Sequence, residues 1–111
     1  MFRMKWGLSI AGLLALSGIV NAADVVNHRV GQKNKTFSVS TLSIALGDKV
    51  TFNNDDDTVH NVYSADKRAN FFNLKAQAPG TSSSIVFEKA GVYEIRCAIH
   101  PQMKLLITVN P

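Results

Sequence analysis

The stretch CAIHPQM, residues 97–103, sets a thiol (Cys97), an imidazole (His100) and a thioether (Met103) at equal steps of three. Runs of β pattern flank it. VYEIRC (92–97) places Tyr93, Ile95 and Cys97 on one face, and LLITV (105–109) follows. Proline lacks a backbone donor and interrupts a helix, so with Pro101 inside the stretch the spacing reads as a tight loop joining two strands. A helix capped by proline is the alternative reading. Such a loop can turn three side chains toward one point.

The remaining chain also reads as β. VVNHRV (25–30) is a first strand, and STLSIALGDKVTFNN holds two more on either side of the Gly47-Asp48 turn. In the second of these, Val50 and Phe52 alternate with Lys49, Thr51 and Asn53, the period of a half-buried strand. Residues 53–57 form a loop before HNVYS (60–64) resumes the strand pattern, and SIVFE (84–88) gives another. The stretch ADKRANFFNLKAQAPGTSS (65–83) is the least periodic and carries the Pro79-Gly80 turn signal, so a short helix and a strand with loops both stay open for it. Short strands at regular spacing predict an all-β, Greek-key β-sandwich of about seven to eight strands.

The first residues carry Arg3 and Lys5, then an apolar run over 6–20, then Val20 and Ala22 where a signal peptidase reads. This is the pattern of a secretory signal over 1–22, cleaved after Ala22; an uncleaved anchor is the alternative. The mature chain, 23–111, is the size of one small domain. It is expected in the periplasm as a monomer, with no stable membrane insertion after cleavage. Loss of Arg3 and Lys5 lowers the formal charge of +4 to +2. That small excess, with no interleaving of basic and aromatic residues, gives no footprint for nucleic acid.

Cleavage also removes Met1 and Met4, leaving Cys97 as the one cysteine and Met103 as the one methionine beside His28, His60 and His100. A lone thiol in an oxidising compartment is paired with another chain, free and reactive, or occupied. Structural zinc takes four Cys or His ligands, and iron–sulfur clusters take about four thiolates. Thiolate, imidazole and thioether together suit copper, in the trigonal His₂Cys arrangement with a weak axial Met. The second histidine is then His28 or His60.

The pair GDKVTFNNDDDTVHNVYS (47–64) and GVYEIRCAIHPQMKLLITV (91–109) resembles the cupredoxins, the small blue-copper proteins, over almost the whole mature chain. The C-x-x-H-x-x-M spacing is similar to that of amicyanin, with plastocyanin-like proteins as near relatives. The resemblance implies His60, Cys97, His100 and Met103 as the ligands of one copper, and leaves His28 structural. It implies a carrier of single electrons between Cu(II) and Cu(I), not an enzyme. Implied partners are redox proteins such as a c-type cytochrome or a periplasmic dehydrogenase.

The resemblance further implies that Asn61 ties the two ligand-bearing loops. Its usual hydroxyl partner after the cysteine is replaced here by Ala98, which leaves only backbone to answer it. Gln102 and Leu105 depart from the apolar docking surface of the relatives. A periplasmic copper carrier or store is the rival function, and the single methionine argues against it. The acidic run 55–57 and the Lys67-Arg68 pair read as solvated charge, and Phe71 and Phe72 as core or lid residues.

Overall fold

A computed structural model describes residues 25–66 and 71–111. The expected signal segment and the Lys67-Arg68 pair lie outside the described residues. Nine strands are present among those described: β1 (Asn27–Lys33), β2 (Thr36–Phe37), β3 (Thr41–Ala45), β4 (Lys49–Asn54), β5 (His60–Ser64), β6 (Asn73–Gln77), β7 (Ser82–Val86), β8 (Gly91–Cys97) and β9 (Lys104–Asn110). They form a four-stranded sheet, β2-β1-β4-β7, and a five-stranded sheet, β3-β9-β8-β5-β6. The β-sandwich expectation holds. The count exceeds seven to eight because β2 has only two residues, too few to show a period.

Most neighbours run antiparallel, but β1 pairs with β4 and β3 with β9 in parallel. Parallel neighbours need crossover connections, so the chain passes repeatedly between the sheets. Alternation then directs one face of each sheet inward. Val30, Val50 and Phe52 of the first sheet and Val62, Ile95, Leu105 and Ile107 of the second are fully buried. Each contributes about 1.5–3 kcal/mol by leaving water. Phe87 sits between Phe72 and Tyr93 with edge-to-face ring contacts at 5.8 and 4.9 Å. Phe71 next to it is 46% exposed, so the Phe71-Phe72 pair is divided between surface and core.

Two departures from the simple period have local causes. Thr51, placed on the polar face of β4, is buried because its hydroxyl lies between Asn27 Oδ1 (3.0 Å) and Ser84 Oγ (2.8 Å) of the flanking strands. Within the stretch left open, the described residues from Phe71 onward hold a strand, β6, between Asn73 and Gln77, with Lys75 in left-handed backbone at φ 66°. Its register against β5 shifts between Asn61 and Tyr63.

At the start of β4, Gly47 supplies the left-handed φ of 91° that the turn needs. Asp48 beside it accepts from His28 Nε2 (2.9 Å), Ala45 N (3.0 Å) and Val26 N (3.2 Å). His28 is therefore a structural residue that pins β1 to this turn. The His28 bond, followed by that from Ala45, holds the Asp48 carboxyl below the usual carboxylate range, against the opposing effect of burial. A depressed folded-state pKa stabilises above the unfolded pKa and is lost as pH falls through the folded value. Urea midpoints measured from about pH 7 down to about pH 3 should thus show Asp48→Asn less stable than wild type at neutrality, with the gap narrowing below about pH 4. Parallel profiles for the two proteins would contradict this account of Asp48.

Candidate metal centre

Four chain segments meet at one end of the sandwich. β4 ends at Asn54, β5 begins at His60, β8 ends at Cys97 and β9 begins at Lys104. The antiparallel register of β5 and β8 sets Val62 opposite Cys97. Ala98 N then donates to Asn61 O at 3.2 Å, which brings the His60 end of β5 across the Cys97 end of β8.

Beyond Cys97 the chain turns rather than coils into a helix. Met103 N donates to His100 O at 3.0 Å, closing a four-residue turn with Pro101 at its second position, where its fixed φ is favoured. Arg96 holds the outside of this loop. Its Nη1 donates to Pro101 O at 2.9 Å while its Nε donates to Glu94 Oε2 at 2.7 Å.

Three of the four residues singled out from sequence come together as donors. His60 Nδ1 lies 3.7 Å and His100 Nδ1 3.6 Å from Cys97 Sγ, and the two nitrogens are 3.1 Å apart. His60 is 0% exposed, Cys97 2% and His100 9%, so His100 is the one that reaches the surface. Met103 is buried at the end of the same loop. Asn61 N donates to Cys97 Sγ at 3.3 Å. The Asn61 side chain, lacking a hydroxyl at Ala98, donates to Asn73 Oδ1 on β6 at 3.1 Å instead. Backbone donors, Ala98 N to Asn61 O and Asn61 N to Cys97 Sγ, tie the two loops, and the Asn61 side chain is answered by a side chain on β6 rather than by the backbone expected of it.

This cluster fits a copper ion on geometry and on chemistry. A triangle with edges of 3.1, 3.6 and 3.7 Å has a point about 2 Å from every corner, the length of a bond between a transition metal and an imidazole nitrogen. Without an ion, two imidazole nitrogens and a thiol would face one another in a site closed to water, with at most a proton or two to share. Two imidazoles and one thiolate are the trigonal donor set that copper takes. Burial, the nearby His60 and the Lys35 charge lower the His100 pKa, against a smaller opposing effect of Asp56. That shift favours the neutral imidazole that binds a metal. Among the described residues the cluster holds one thiol, which sets the expectation of one copper per chain.

One residue of the site was not expected. The acidic run 55–57 reads as solvated loop, and Asp55 and Asp57 are exposed. Asp56 instead turns inward, with its side chain 9% exposed and Oδ2 3.0 Å from His60 Nε2. Lys35 N donates to the same oxygen at 2.9 Å. These two contacts, the Lys35 amide foremost, hold its carboxyl well below the usual range. The available signal was the four-residue spacing to a proposed ligand histidine, whose second ring nitrogen normally needs an acceptor.

The chain belongs to the cupredoxin-like family: the family model described as a cupredoxin-like domain matches residues 7–109. Among proteins of known sequence it is similar to the methylamine utilization protein MauL of Methylorubrum extorquens, with 33% identity over 64 residues, 58% of this chain. The match takes in 56% of that protein, so the chain spans about half the length of this relative. Among solved structures it is similar to a purple cupredoxin from Nitrosopumilus maritimus, with TM-score 0.67 and 30% identity over 75% of this chain and 99% of that one. A reduced amicyanin variant superposes with TM-score 0.70 and 25% identity over 80% of this chain and 89% of the other.

Proposed function

We propose that the protein is a periplasmic type 1 copper protein that carries single electrons between redox partners and is not itself an enzyme. The observation that carries this reading is the buried meeting of His60 Nδ1, Cys97 Sγ and His100 Nδ1, all within 4.8 Å of one another, on a cupredoxin frame. His60, Cys97 and His100 would hold the ion, and Met103 would supply a further, weaker thioether donor. Copper bound there supplies a one-electron couple, Cu(II)/Cu(I). The chain does the rest. The strand ends fix the donors, burial excludes water and competing ligands, and the Asn61 amide partly neutralises charge on the Cys97 sulfur.

The signal pattern supports export, with a mature single domain over 23–111 working as a monomer. The described residues include no helix long and apolar enough to cross a membrane. A relative named for methylamine utilization and an amicyanin neighbour support partners such as a periplasmic dehydrogenase and a c-type cytochrome.

The axial ligand is separable from the other three. Met103→Leu should keep both copper and colour and raise the reduction potential, because losing a thioether donor disfavours Cu(II) more than Cu(I). Redox titration of both proteins checks this, and an unchanged potential would show that Met103 does not coordinate.

Electrons would leave through the edge of His100, the most exposed of the three clustered donors. Around it Ile99 is 51% exposed and Pro101 is exposed, whereas Leu105 is wholly buried. The polar part of this surface is Gln102 and Lys104, both exposed. Lys104 is one cation that an acidic partner would meet, beside the exposed Lys35 whose charge also reaches His100, whereas Arg96 is already held by Glu94. Electron transfer to an acidic partner should therefore slow as salt rises, because exposed charges are screened beyond about 8 Å at physiological ionic strength. Lys104→Glu should weaken or reverse that slope in stopped-flow rates. Identical slopes would show that Lys104 takes no part in docking.

A further inference from the structure

A neutral imidazole carries its proton on one ring nitrogen, and the site needs that choice made. His60 turns Nδ1 toward Cys97 and His100, and Nε2 toward Asp56 Oδ2 at 3.0 Å. An ionised carboxylate only accepts hydrogen bonds, so this contact requires the proton on Nε2 and leaves the Nδ1 lone pair bare toward the other two donors. We propose that Asp56 is the positioning residue of the metal centre: it sets the tautomer and the ring plane in which His60 presents Nδ1 to the ion. The inference deepens the copper reading above and rests on it for the identity of that ion.

Asp56 is itself held by an unusual number of bonds for a residue in an acidic loop. Asn54, fully buried, donates through Nδ2 to Thr58 O (2.9 Å) and Gln77 O (2.8 Å) and accepts from Asp56 N through Oδ1 (3.0 Å). Asp56 Oδ1 accepts from Asp57 N at 3.1 Å. The oxygen that meets His60 also accepts from Lys35 N. Lys35 and Asn34 form the two-residue turn between β1 and β2, both in left-handed backbone at φ 58° and 54°, the conformation of a tight type I′ hairpin.

One carboxylate oxygen thus connects a ligand on the five-stranded sheet to a rigid turn of the four-stranded sheet. Neither ring rotation nor a tautomer change in His60 is possible without breaking that link. A negative charge behind the imidazole also makes Nδ1 a stronger donor, which favours Cu(II) over Cu(I).

Two readouts separate positioning from general support of the loop. In metal-free protein, nitrogen NMR of the His60 ring should show the Nε2–H tautomer alone. Asp56→Ala should admit the Nδ1–H tautomer and lower Cu(II) affinity about 10–100-fold in a chelator competition, as loss of an outer-shell partner of a ligand histidine typically does. Asp56→Asn keeps an oxygen for His60 and Lys35 but no charge. It should retain the tautomer, bind Cu(II) more weakly than wild type though less so than the alanine variant, and lose less affinity for Cu(I) than for Cu(II). Asp57→Asn, at an exposed neighbour, should behave as wild type.

An Asp56→Ala protein with only the Nε2–H tautomer and wild-type Cu(II) affinity would overturn the proposal. If that variant does not fold, Asp56→Asn decides alone, and unchanged Cu(II) affinity there overturns it. A wild-type protein that binds no copper would instead sink the functional reading. The tautomer comparison would still test Asp56.

Discussion

Cys97→Ser should abolish the visible colour of the copper-loaded protein and leave its fold in place. The colour of such a site comes from charge transfer between a thiolate and Cu(II), and Cys97 is the only cysteine in the sequence. Serine matches it in shape, and its hydroxyl, placed 2% exposed beside Asn61 N and two imidazoles, still finds hydrogen-bond partners. The stability cost should stay within about 1–3 kcal/mol. The chemistry does not survive. An alcohol stays protonated at neutral pH and is a hard oxygen donor, whereas Cu(I) selects soft sulfur. Copper affinity should therefore fall by more than the ~10–100-fold expected for an outer-shell partner. A variant that keeps the band would remove Cys97 from the site.

His60→Ala should be nearly as severe for the metal and worse for the protein. The wild-type ring is fully buried and occupies both its nitrogens, one at the donor cluster and one at Asp56. Removing it opens a hole and leaves the Asp56 carboxylate without its inward partner. Losing a buried hydrogen-bonded partner costs about 1–3 kcal/mol, enough to lower a urea midpoint visibly in a domain this small. Two of three planar donors remain, so copper should be lost on dialysis, in contrast to Met103→Leu. Retention of one copper per chain by the alanine variant would contradict the ligand assignment.

The parts of this fold that sequence reveals are those where one physical rule acts alone. Alternation is clean in β8, where Tyr93, Ile95 and Cys97 are all buried. Pro101 in a short stretch between two strands favours a tight loop over a proline-capped helix, and the chain does turn there. Where a second influence enters, the period blurs. Lys75 in left-handed backbone and the register shift at Asn61 break the alternation of β6 against its neighbour. Thr51 is buried by the hydroxyl and amide groups of flanking strands, which alternation does not record.

The metal centre divides the same way. The loop carrying Cys97, His100 and Met103 is local in sequence, and its donor types alone point to copper. The choice of His60 over His28 depends on pairing between β5 and β8, and family resemblance rather than spacing makes it. Asp56 is harder still. Three consecutive aspartates look like solvent-facing charge, and what sets the middle one apart is a backbone amide from a turn 21 residues earlier in the chain. No periodicity reports such an approach.

As an electron carrier, the protein should hold a single thiolate-bound copper that changes oxidation state in place. A Cu(II) titration of the mature protein, followed in the visible spectrum and then through cycles of one-electron reduction and reoxidation, tests it most directly. An intense blue, green or purple band should saturate at one copper per chain, bleach on reduction and return in full, with the metal retained against a modest Cu(I) chelator. A protein that stays colourless with copper bound, or that surrenders its copper to the chelator when reduced, would contradict it.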